Sequence, residues 1–306
     1  MEKPNQLVQL DELGIIHCHG PDAEKFIQGQ LTCDAHEVNA TFSLPGAHCD
    51  RKGRVIANFR LAFFEGAYLI IMPKLMLSTL INSLKHYAMF SKVTLCDESP
   101  NWSIMGLCAN STDIGENLPI SINSAVTHNS GIVIRVYGQT TRHLILNKNP
   151  SHAQELQKKL EEQADLLPYS YWELQEIKSG IAYILPNLAS LFTPQMLNLQ
   201  KLHGVSFDKG CYIGQEIIAR TEHLGHLKRH LYLGTINTET PPAPGCKIVN
   251  ENDTKIGVLV NISKEEENKH RFLAVVQDAG LDASQKIVCS PKDGQPVTAM
   301  LERITI

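Results

Sequence analysis

The pattern of apolar and polar positions changes character near residue 228 of the 306-residue chain. Before that point, short apolar runs such as 14–20 and 55–73 are typical of strands, and a polar Glu-Gly turn splits the second run in two. These runs alternate with amphipathic segments of helical spacing, of which residues 74–90 are the clearest. The alternation predicts an α+β body.

Several elements of the body have start and stop signals. Pro21 and Asp22 predict the start of a short helix, which Gly29 is expected to end in a left-handed cap. Two strands followed by two helices are predicted at 131–138, 143–147, 151–167 and 170–180.

From about residue 229 onward, the chain consists of short β-like runs. Turn-rich segments separate these runs, notably PPAPG at 241–245 and PKDGQP at 291–296. Short strands at this spacing predict a small all-β barrel or sandwich. We therefore expect two domains, a body at 1–228 and an all-β domain at 229–306.

Composition and charge narrow the class of protein. With 43% hydrophobic residues and a formal net charge of -4, the chain has the composition of a soluble globular protein. It carries no basic stripe, so direct binding of nucleic acid is not expected. Its eight cysteines form no C-x-x-C pair, which predicts a reduced, cytoplasmic chain without a metal site. We find neither an export signal nor an apolar window of membrane-spanning length, so no membrane association is expected.

The octapeptide KGCYIGQE at 209–216 places Cys211 in a glycine-bracketed turn. The apolar spacing that follows predicts a helix beginning near Ile213. A helix amino terminus and the nearby Lys209 both favour a thiolate, by about 0.3 to 1 kcal/mol and roughly 1 to 3 kcal/mol respectively. Two interpretations stay open on these residues: a reactive thiolate, and a buried structural cysteine in a tight turn.

Histidines near the octapeptide do not complete a known catalytic or metal site. His203 lies eight residues before the cysteine, and a Cys/His dyad would depend on folding. His223, His226 and His230 superficially resemble a metal site, but Gly225 interrupts the helix that would align them. A solvated, mildly basic segment is the favoured interpretation.

Nucleotide-binding signatures are absent from the sequence. Neither G-x-G-x-x-G after a strand nor G-x-x-x-x-G-K-[ST] occurs. The segment CDRKGRVIANFR at 49–60 contains a glycine turn flanked by basic residues. On its own it fits a hairpin tip better than an anion site.

The segment FDKGCYIGQEIIARTEHLGHLKR at 207–229 resembles the signature of the YgfZ family, which are folate-binding relatives of the glycine-cleavage T protein. That signature is K-G-C-Y-[TI]-G-Q-E-x-x-A-R, and every fixed position is matched. The resemblance extends to further segments at 26–34, 49–55, 193–207 and, more weakly, 272–276. It therefore spans most of the chain.

The resemblance implies a fold and a function. The fold would be a T-protein-like ring of two interleaved α+β subdomains and a carboxy-terminal β-barrel, with tetrahydrofolate or a one-carbon derivative in a central channel. The function would be support of iron-sulfur cluster assembly or repair and, through iron-sulfur enzymes, of tRNA modification. The implied partners are folate and transiently bound iron-sulfur proteins.

The resemblance also assigns roles to residues. Cys211 would be the reactive group, and the positive charge of Lys209 would favour its thiolate form. Arg51 would contact the glutamate tail of the folate. Lys178 stands where the T protein carries its pterin-binding glutamate, with Glu176 two residues away. The expected pocket wall consists of Tyr212, Gly214, Gln215, Glu216 and Arg220.

One departure from the T protein bears on activity. The T protein carries catalytic acids in the strand after the glycine turn, where this chain has Ala57 and Asn58. Two alternatives therefore remain beside a folate-binding iron-sulfur factor. One is a folate-dependent aminomethyl or one-carbon transferase, which the missing acid disfavours. The other is a non-catalytic scaffold that docks on iron-sulfur proteins, in which Cys211 would be structural.

Overall fold

Helices and strands alternate through the first two thirds of the chain, and six strands follow. The computed structural model describes residues 5–109, 118–128, 130–291 and 294–304. Among these residues, no helix is both long enough and apolar enough to cross a membrane.

The α-helices are α1 (Ala23–Gln28), α2 (Leu77–Ala88), α3 (Pro150–Glu161), α4 (Tyr169–Lys178) and α5 (Gln215–His223). The strands of the body are β1 (Asn5–Gln9), β2 (Leu13–His19), β3 (Leu44–Cys49), β4 (Val55–Phe64), β5 (Ala67–Pro73), β6 (Thr94–Asp97), β7 (Ser103–Ala109), β8 (Ala125–His128), β9 (Gly131–Val136), β10 (Thr141–Asn147) and β11 (Ala164–Leu167). The later strands are β12 (Arg229–Asn237), β13 (Lys247–Val249), β14 (Lys255–Glu266), β15 (Lys269–Gln277), β16 (Lys286–Ser290) and β17 (Val297–Arg303).

The first sheet has five antiparallel strands in the order β3-β4-β5-β2-β6. Helices α1 and α2 contribute to the core on one face, where Phe26 and Leu80 lie in the same buried cluster as Ile16. The other face belongs to a second cluster, which includes Ile15 and Ile71. Because both faces are covered, the central strands are apolar at almost every position instead of alternating.

The second sheet has six strands in the order β11-β1-β7-β10-β9-β8. Strand β1 runs parallel to β11, with Asn5 opposite Ala164, while its other neighbour β7 is antiparallel. The chain therefore begins in the second sheet, builds the whole first sheet, and then returns. This path confirms the predicted interleaving of two α+β parts.

The carboxy-terminal strands form a closed barrel in the order β12-β15-β14-β13-β16-β17. Strand β12 closes it by pairing with both β15 and β17. Closure leaves no open sheet edge, which suits a short all-β segment. Of the two predicted alternatives, a barrel and a sandwich, the barrel is confirmed. The division into domains at residue 228 stays a prediction.

Body and barrel share one hydrophobic core. Leu231, Leu233 and Leu273 of the barrel belong to the same buried cluster as Ile177 and Ile218 of the body. Helix α4 also packs against β14 and β15. The junction between body and barrel is therefore a packed interface, which can position side chains from both.

Three local predictions differ from the structure. Gly29 follows α1 in a right-handed conformation with φ of -84°, so the predicted left-handed cap is wrong. The helix predicted over 151–167 ends at Glu161, and the last four residues form β11 because they pair with β1. Helix α5 begins at Gln215, two residues later than expected, because Gly214 is left-handed with φ of 83°.

Candidate functional site

Two sequence motifs meet through their glycines. Gly53 and Gly214 both have positive φ, at 68° and 83°. A Cβ on Gly53 would lie 3.3 Å from the carbonyl oxygen of Gly214 and 3.2 Å from the side chain of Ile218. The turn between β3 and β4 therefore packs directly against the turn that opens α5. Glycine is needed at both positions for its backbone freedom and for close approach.

Other segments of the family resemblance converge on the same place. Thr32 donates from Oγ1 to the carbonyl oxygen of Gly204 at 2.6 Å and accepts from the amide of Ala47 at 2.9 Å. Gln195 donates from Nε2 to the carbonyl oxygen of Ile218 at 2.8 Å. The motifs at 26–34, 49–55, 193–207 and 209–220 thus form one packed unit around the start of α5.

Lys209 is buried, and its ammonium is directed at the backbone of the 31–33 segment. Its Nζ atom donates to the carbonyl oxygens of Leu31 at 2.9 Å and Cys33 at 2.7 Å. Burial lowers the pKa of Lys209 to about 8, although Cys33 and Asp34 oppose the shift. Burial likewise raises the pKa of the Cys33 thiol to about 12, with Lys209 opposing. The hydrogen bonds of this ammonium are therefore with backbone carbonyl groups of Leu31 and Cys33.

Cys211 is exposed at the surface of the signature turn. All eight cysteines lie in the described part of the chain and are free, and the other seven are buried or half-buried. The neighbouring Gly210 is also open, since an added Cβ would meet nothing within 4 Å. The geometry gives Cys211 an accessible thiol, which suits a nucleophile or a ligand for a partner's group.

The remaining signature side chains point in different directions. Tyr212 is buried in the body's core, and its hydroxyl has no hydrogen-bond partner among the described residues. Gln215 accepts from the backbone amide of Tyr212 at 3.3 Å, which closes the turn. Glu216 and Arg220 form an ion pair of 2.7 Å on the helix surface, with side chains 79% and 62% exposed. Tyr212, Gln215, Glu216 and Arg220 therefore do not form one continuous pocket wall.

A cavity of about 440 Å³ lies at the junction of body and barrel. A second cavity of about 40 Å³ shares Glu176, Ile181 and Tyr183 with it, so the two adjoin. The polar residues that line the cavity of about 440 Å³ come from four separate stretches of the chain. They are Glu12, Lys74, Tyr169, Glu173, Glu176, Tyr183 and Asn261.

An extended segment is clamped across this cavity. Asn58 of β4 donates to the carbonyl oxygen of Ala182 at 2.7 Å and accepts from the amide of Ile184 at 2.9 Å. Asn261 of β14 accepts from the amide of Tyr183 at 3.0 Å and donates to its carbonyl oxygen at 3.1 Å. Two asparagines, one from each side, therefore hold Tyr183 in the cavity wall.

Buried charges surround the cavity. Arg142 is fully buried, and its Nη1 lies 2.6 Å from Oε1 of Glu176. The same guanidinium lies 4.8 Å from the centre of the Trp172 ring. Burial raises the pKa of Glu173, which a hydrogen bond from Ser263 partly offsets. The cavity thus presents three carboxylates among apolar side chains, with Glu12 exposed and Glu173 and Glu176 partly or fully buried, an arrangement that suits a flat ligand carrying N–H donors.

Lys178 and Arg51 do not line this cavity. Lys178 Nζ is 2.6 Å from Oε1 of Glu265, and Arg51 is exposed at the tip of its turn. Neither residue lines either of these two adjoining cavities. Sequence reasoning passed over Glu173, Tyr183 and Asn261, because they come from separate stretches; the one available signal was Glu176, two residues from Lys178.

Comparison with solved structures supports the fold. The glycine cleavage system aminomethyltransferase T from Bartonella henselae matches with a TM-score of 0.77, covering 99% of this chain and 86% of that one. The sequence identity is only 14%, so this match concerns the fold alone. It confirms the T-protein-like architecture.

Curated relatives identify the family, although no protein-family model matches the chain. The tRNA-modifying protein YgfZ of Colwellia psychrerythraea is 34% identical over 241 residues, which is 77% of this chain and 73% of the relative. The protein of the same name from Photorhabdus laumondii is 33% identical over 235 residues, covering 75% and 70%. Together with the matched signature around Cys211, this similarity shows that the chain belongs to the YgfZ family.

Proposed function

We propose that this protein binds a reduced folate in the cavity at the junction of body and barrel. The observation that carries the proposal is the cavity of about 440 Å³ with Glu173 and Glu176 in its wall. This volume lies within the roughly 300–1,000 Å³ that small-molecule sites usually have. The family membership and the T-protein-like fold support the choice of folate over other flat ligands.

The donor set fits the chemistry of a tetrahydropterin. The 2-amino group and ring N–H groups of the pterin are donors, and buried carboxylates are strong acceptors for them. Ile177, Ile181 and Leu185 supply apolar surface for the ring. Lys74 lines the same cavity and is exposed, so it is placed to meet the carboxylates of the folate tail. We assign the tail to Lys74 in preference to Arg51.

The biological role that we propose is support of iron-sulfur cluster assembly or repair in the cytoplasm and, through iron-sulfur enzymes, of tRNA modification. Cys211 is the group through which the protein acts on its clients, and its exposure supports this assignment. Contact with iron-sulfur proteins would be transient. The net charge of -4 supports an indirect connection to tRNA, since direct binding of the phosphate backbone relies on clustered Lys and Arg.

The transferase alternative is disfavoured by the environment of Asn58. Its amide donor and its carbonyl oxygen both bind backbone groups of the 182–184 segment. Ala57 beside it is fully buried and carries no polar group. The position that resembles the T protein's acid therefore offers no proton acceptor for an amine, and its side chain holds the cavity wall instead.

Calorimetric titration with tetrahydrofolate under anaerobic conditions tests the binding proposal. We expect a dissociation constant in the micromolar range, roughly -8 kcal/mol. Glu173→Gln should weaken binding by about 10-fold to 100-fold, because a charge-assisted hydrogen bond contributes roughly 1.5–3 kcal/mol. Glu173 is a cleaner choice than Glu176, whose loss would leave Arg142 buried without its partner.

Lys178→Ala is the matched control, because Lys178 is the last residue of the same helix, α4, but pairs with Glu265 and does not line the cavity. Its affinity should equal that of the wild type. The absence of both heat and thermal stabilisation at millimolar folate would refute folate binding. A large loss in Lys178→Ala with none in Glu173→Gln would move the pterin site to residue 178, as the sequence resemblance has it.

A further inference from the structure

Three side chains of the types that commonly bind metal ions lie close together at the edge of the first sheet. His17 and His19 lie on β2, and Cys96 lies on the edge strand β6. The strand register sets His17 opposite Cys96, and residues two apart on a strand share a face. The three side chains therefore project on the same side, and their ligand atoms all lie within 4.8 Å of one another.

One imidazole nitrogen in this cluster is unsatisfied. Nδ1 of His19 is buried and has no hydrogen-bond partner within the described residues. The His17 and His19 rings have centroids 4.8 Å apart and planes tilted by 41°. Leaving a buried nitrogen without a partner destabilises the folded state, and a bound cation would satisfy its lone pair.

We propose that His17, His19 and Cys96 bind one divalent transition-metal ion, with zinc as the best match to the ligand set. Imidazole nitrogen and cysteine sulfur are the usual protein ligands of zinc, in a tetrahedral arrangement. Magnesium and calcium are poor candidates because they take oxygen ligands. This site is separate from Cys211 and from the folate cavity, so it does not depend on the proposed function.

Glu98 is placed to supply the fourth ligand. Its Oε1 lies 3.7 Å from the sulfur of Cys96, while its Oε2 accepts from Asn101 at 2.6 Å. In a tetrahedral zinc site with bonds of about 2.1 and 2.3 Å, neighbouring ligand atoms lie roughly 3.3 to 3.8 Å apart. The cluster would therefore contract by about 1 Å on binding, which side-chain rotation can provide.

Binding must also displace the thiol proton. An ordinary cysteine carries its proton at neutral pH, so the sulfur of Cys96 is a thiol before the ion arrives. Zinc displaces such protons at cysteine ligands elsewhere. The consequence for the fold is a link from the four-residue edge strand β6 to its neighbour β2.

His223, His226 and His230, which only superficially resemble a metal site in the sequence, do not form a comparable cluster in the described part of the chain. His230 pairs instead with Asp278, with Nδ1 2.9 Å from Oδ1. His226 is exposed in the segment after α5. His226 is therefore a suitable control residue for metal-binding measurements.

Cobalt titration of the chelator-stripped, full-length protein tests the proposal, since Co²⁺ reports thiolate ligation by a charge-transfer band. We expect one equivalent of Co²⁺ to bind with that band and one equivalent of Zn²⁺ to remove it. Cys96→Ser should abolish the band, and His19→Asn should weaken the apparent affinity at least about tenfold. Zn²⁺ should raise the melting temperature of the wild type and leave that of Cys96→Ser unchanged.

Two variants control for other ligands: Cys211→Ser removes the exposed thiol, and His226→Asn removes an exposed imidazole. Both should keep the band and the affinity. The proposal is overturned if the wild type gives no charge-transfer band at excess Co²⁺, if Cys96→Ser keeps the band, or if Cys211→Ser loses it. Should Cys96→Ser fail to fold, the wild-type titration and His19→Asn decide the matter.

Discussion

A Cβ added to Gly214 would lie 3.0 Å from the Cα of Gly53 and 2.6 Å from the carbonyl oxygen of Asp50. Two turns that are more than 150 residues apart in sequence thus touch backbone to backbone. The contact positions the start of α5 and, with it, the turn that presents Cys211. Gly214 of the signature octapeptide therefore serves the packing of this turn against the body.

We predict that Gly214→Ala destabilises the protein by about 2 to 5 kcal/mol. The left-handed backbone costs a side chain roughly 1–2 kcal/mol, and the clash with the Asp50 carbonyl adds roughly 1–3 kcal/mol. Urea unfolding measures the difference. Gly66→Ala should show only the conformational cost, because Gly66 has φ of 79° but nothing within 4 Å.

Gly210→Ala is the second control for this prediction. Gly210 lies in the same octapeptide, its φ is not positive, and an added Cβ would meet nothing within 4 Å. Its stability should stay within about 0.5 kcal/mol of the wild type. Equal losses in Gly210→Ala and Gly214→Ala would contradict the packing explanation.

Lys209 gives a prediction about pH. Its pKa in the folded protein is about 8, below the ordinary 10.5, so between these values the unfolded chain binds more protons than the folded one. The contribution of Lys209 to the free energy of unfolding should therefore rise from about pH 8 to about pH 10.5, and it should be constant below pH 7. Urea titrations of wild type and Lys209→Met across this range measure it as a difference.

Lys209→Arg keeps a charge throughout that range, since guanidinium does not lose its proton there. The difference between this variant and Lys209→Met should therefore not rise with pH. If the difference in free energy of unfolding between the wild type and Lys209→Met stays constant from pH 8 to pH 10.5, the two carbonyl acceptors hold the ammonium charged despite its burial.

Much of the fold was accessible from sequence because its signals are local. The two strands around Glu65 and Gly66 form as β4 and β5, since an apolar run broken by a polar turn has few other ways to fold. By contrast, residues 164–167 fit a helical pattern but form β11. Their partner is β1, more than 150 residues away, and no local pattern reports such a pairing.

The candidate site was less accessible for the same reason. Lys209 is two residues from Cys211 in sequence, yet its ammonium binds the carbonyls of Leu31 and Cys33. Neighbours in sequence need not be neighbours in space. His17 and His19 lie in the strand predicted at 14–20, but Cys96 joins them only through the sheet. Cavity residues such as Tyr183 depend on contacts from both body and barrel.

Alkylation should distinguish Cys211 from the other cysteines. Burial raises the pKa of Cys18, Cys33 and Cys289 to about 12, against an ordinary 9.0. Each pKa unit lowers the thiolate fraction tenfold, so these thiols should react roughly 1000-fold more slowly than an ordinary one, before lost access is counted. Iodoacetamide at neutral pH should give one adduct, located at Cys211 by peptide mass spectrometry.

Two controls accompany this measurement. The folded Cys211→Ser variant should take up no label under the same iodoacetamide treatment. The unfolded wild type should be labelled at all eight cysteines. Labelling of Cys211 at or below the rate of the buried thiols would favour a structural cysteine and count against its proposed role.

The last prediction concerns the need for the Cys211 thiol in cells. Deleting the gene should lower the activity of several iron-sulfur enzymes and the content of thiomethylated tRNA, while glycine cleavage continues, because the position of the transferase acid is taken by Asn58. Wild type and Lys178→Ala should restore both levels at least partly. Cys211→Ala and the polar Cys211→Ser should restore neither, and their folding should be unaffected, since this side chain is exposed. Enzyme assays and mass spectrometry of tRNA nucleosides measure the outcome. Full rescue by Cys211→Ala would refute the role of the thiol, and normal iron-sulfur activity in the deletion strain would refute the proposed function as a whole.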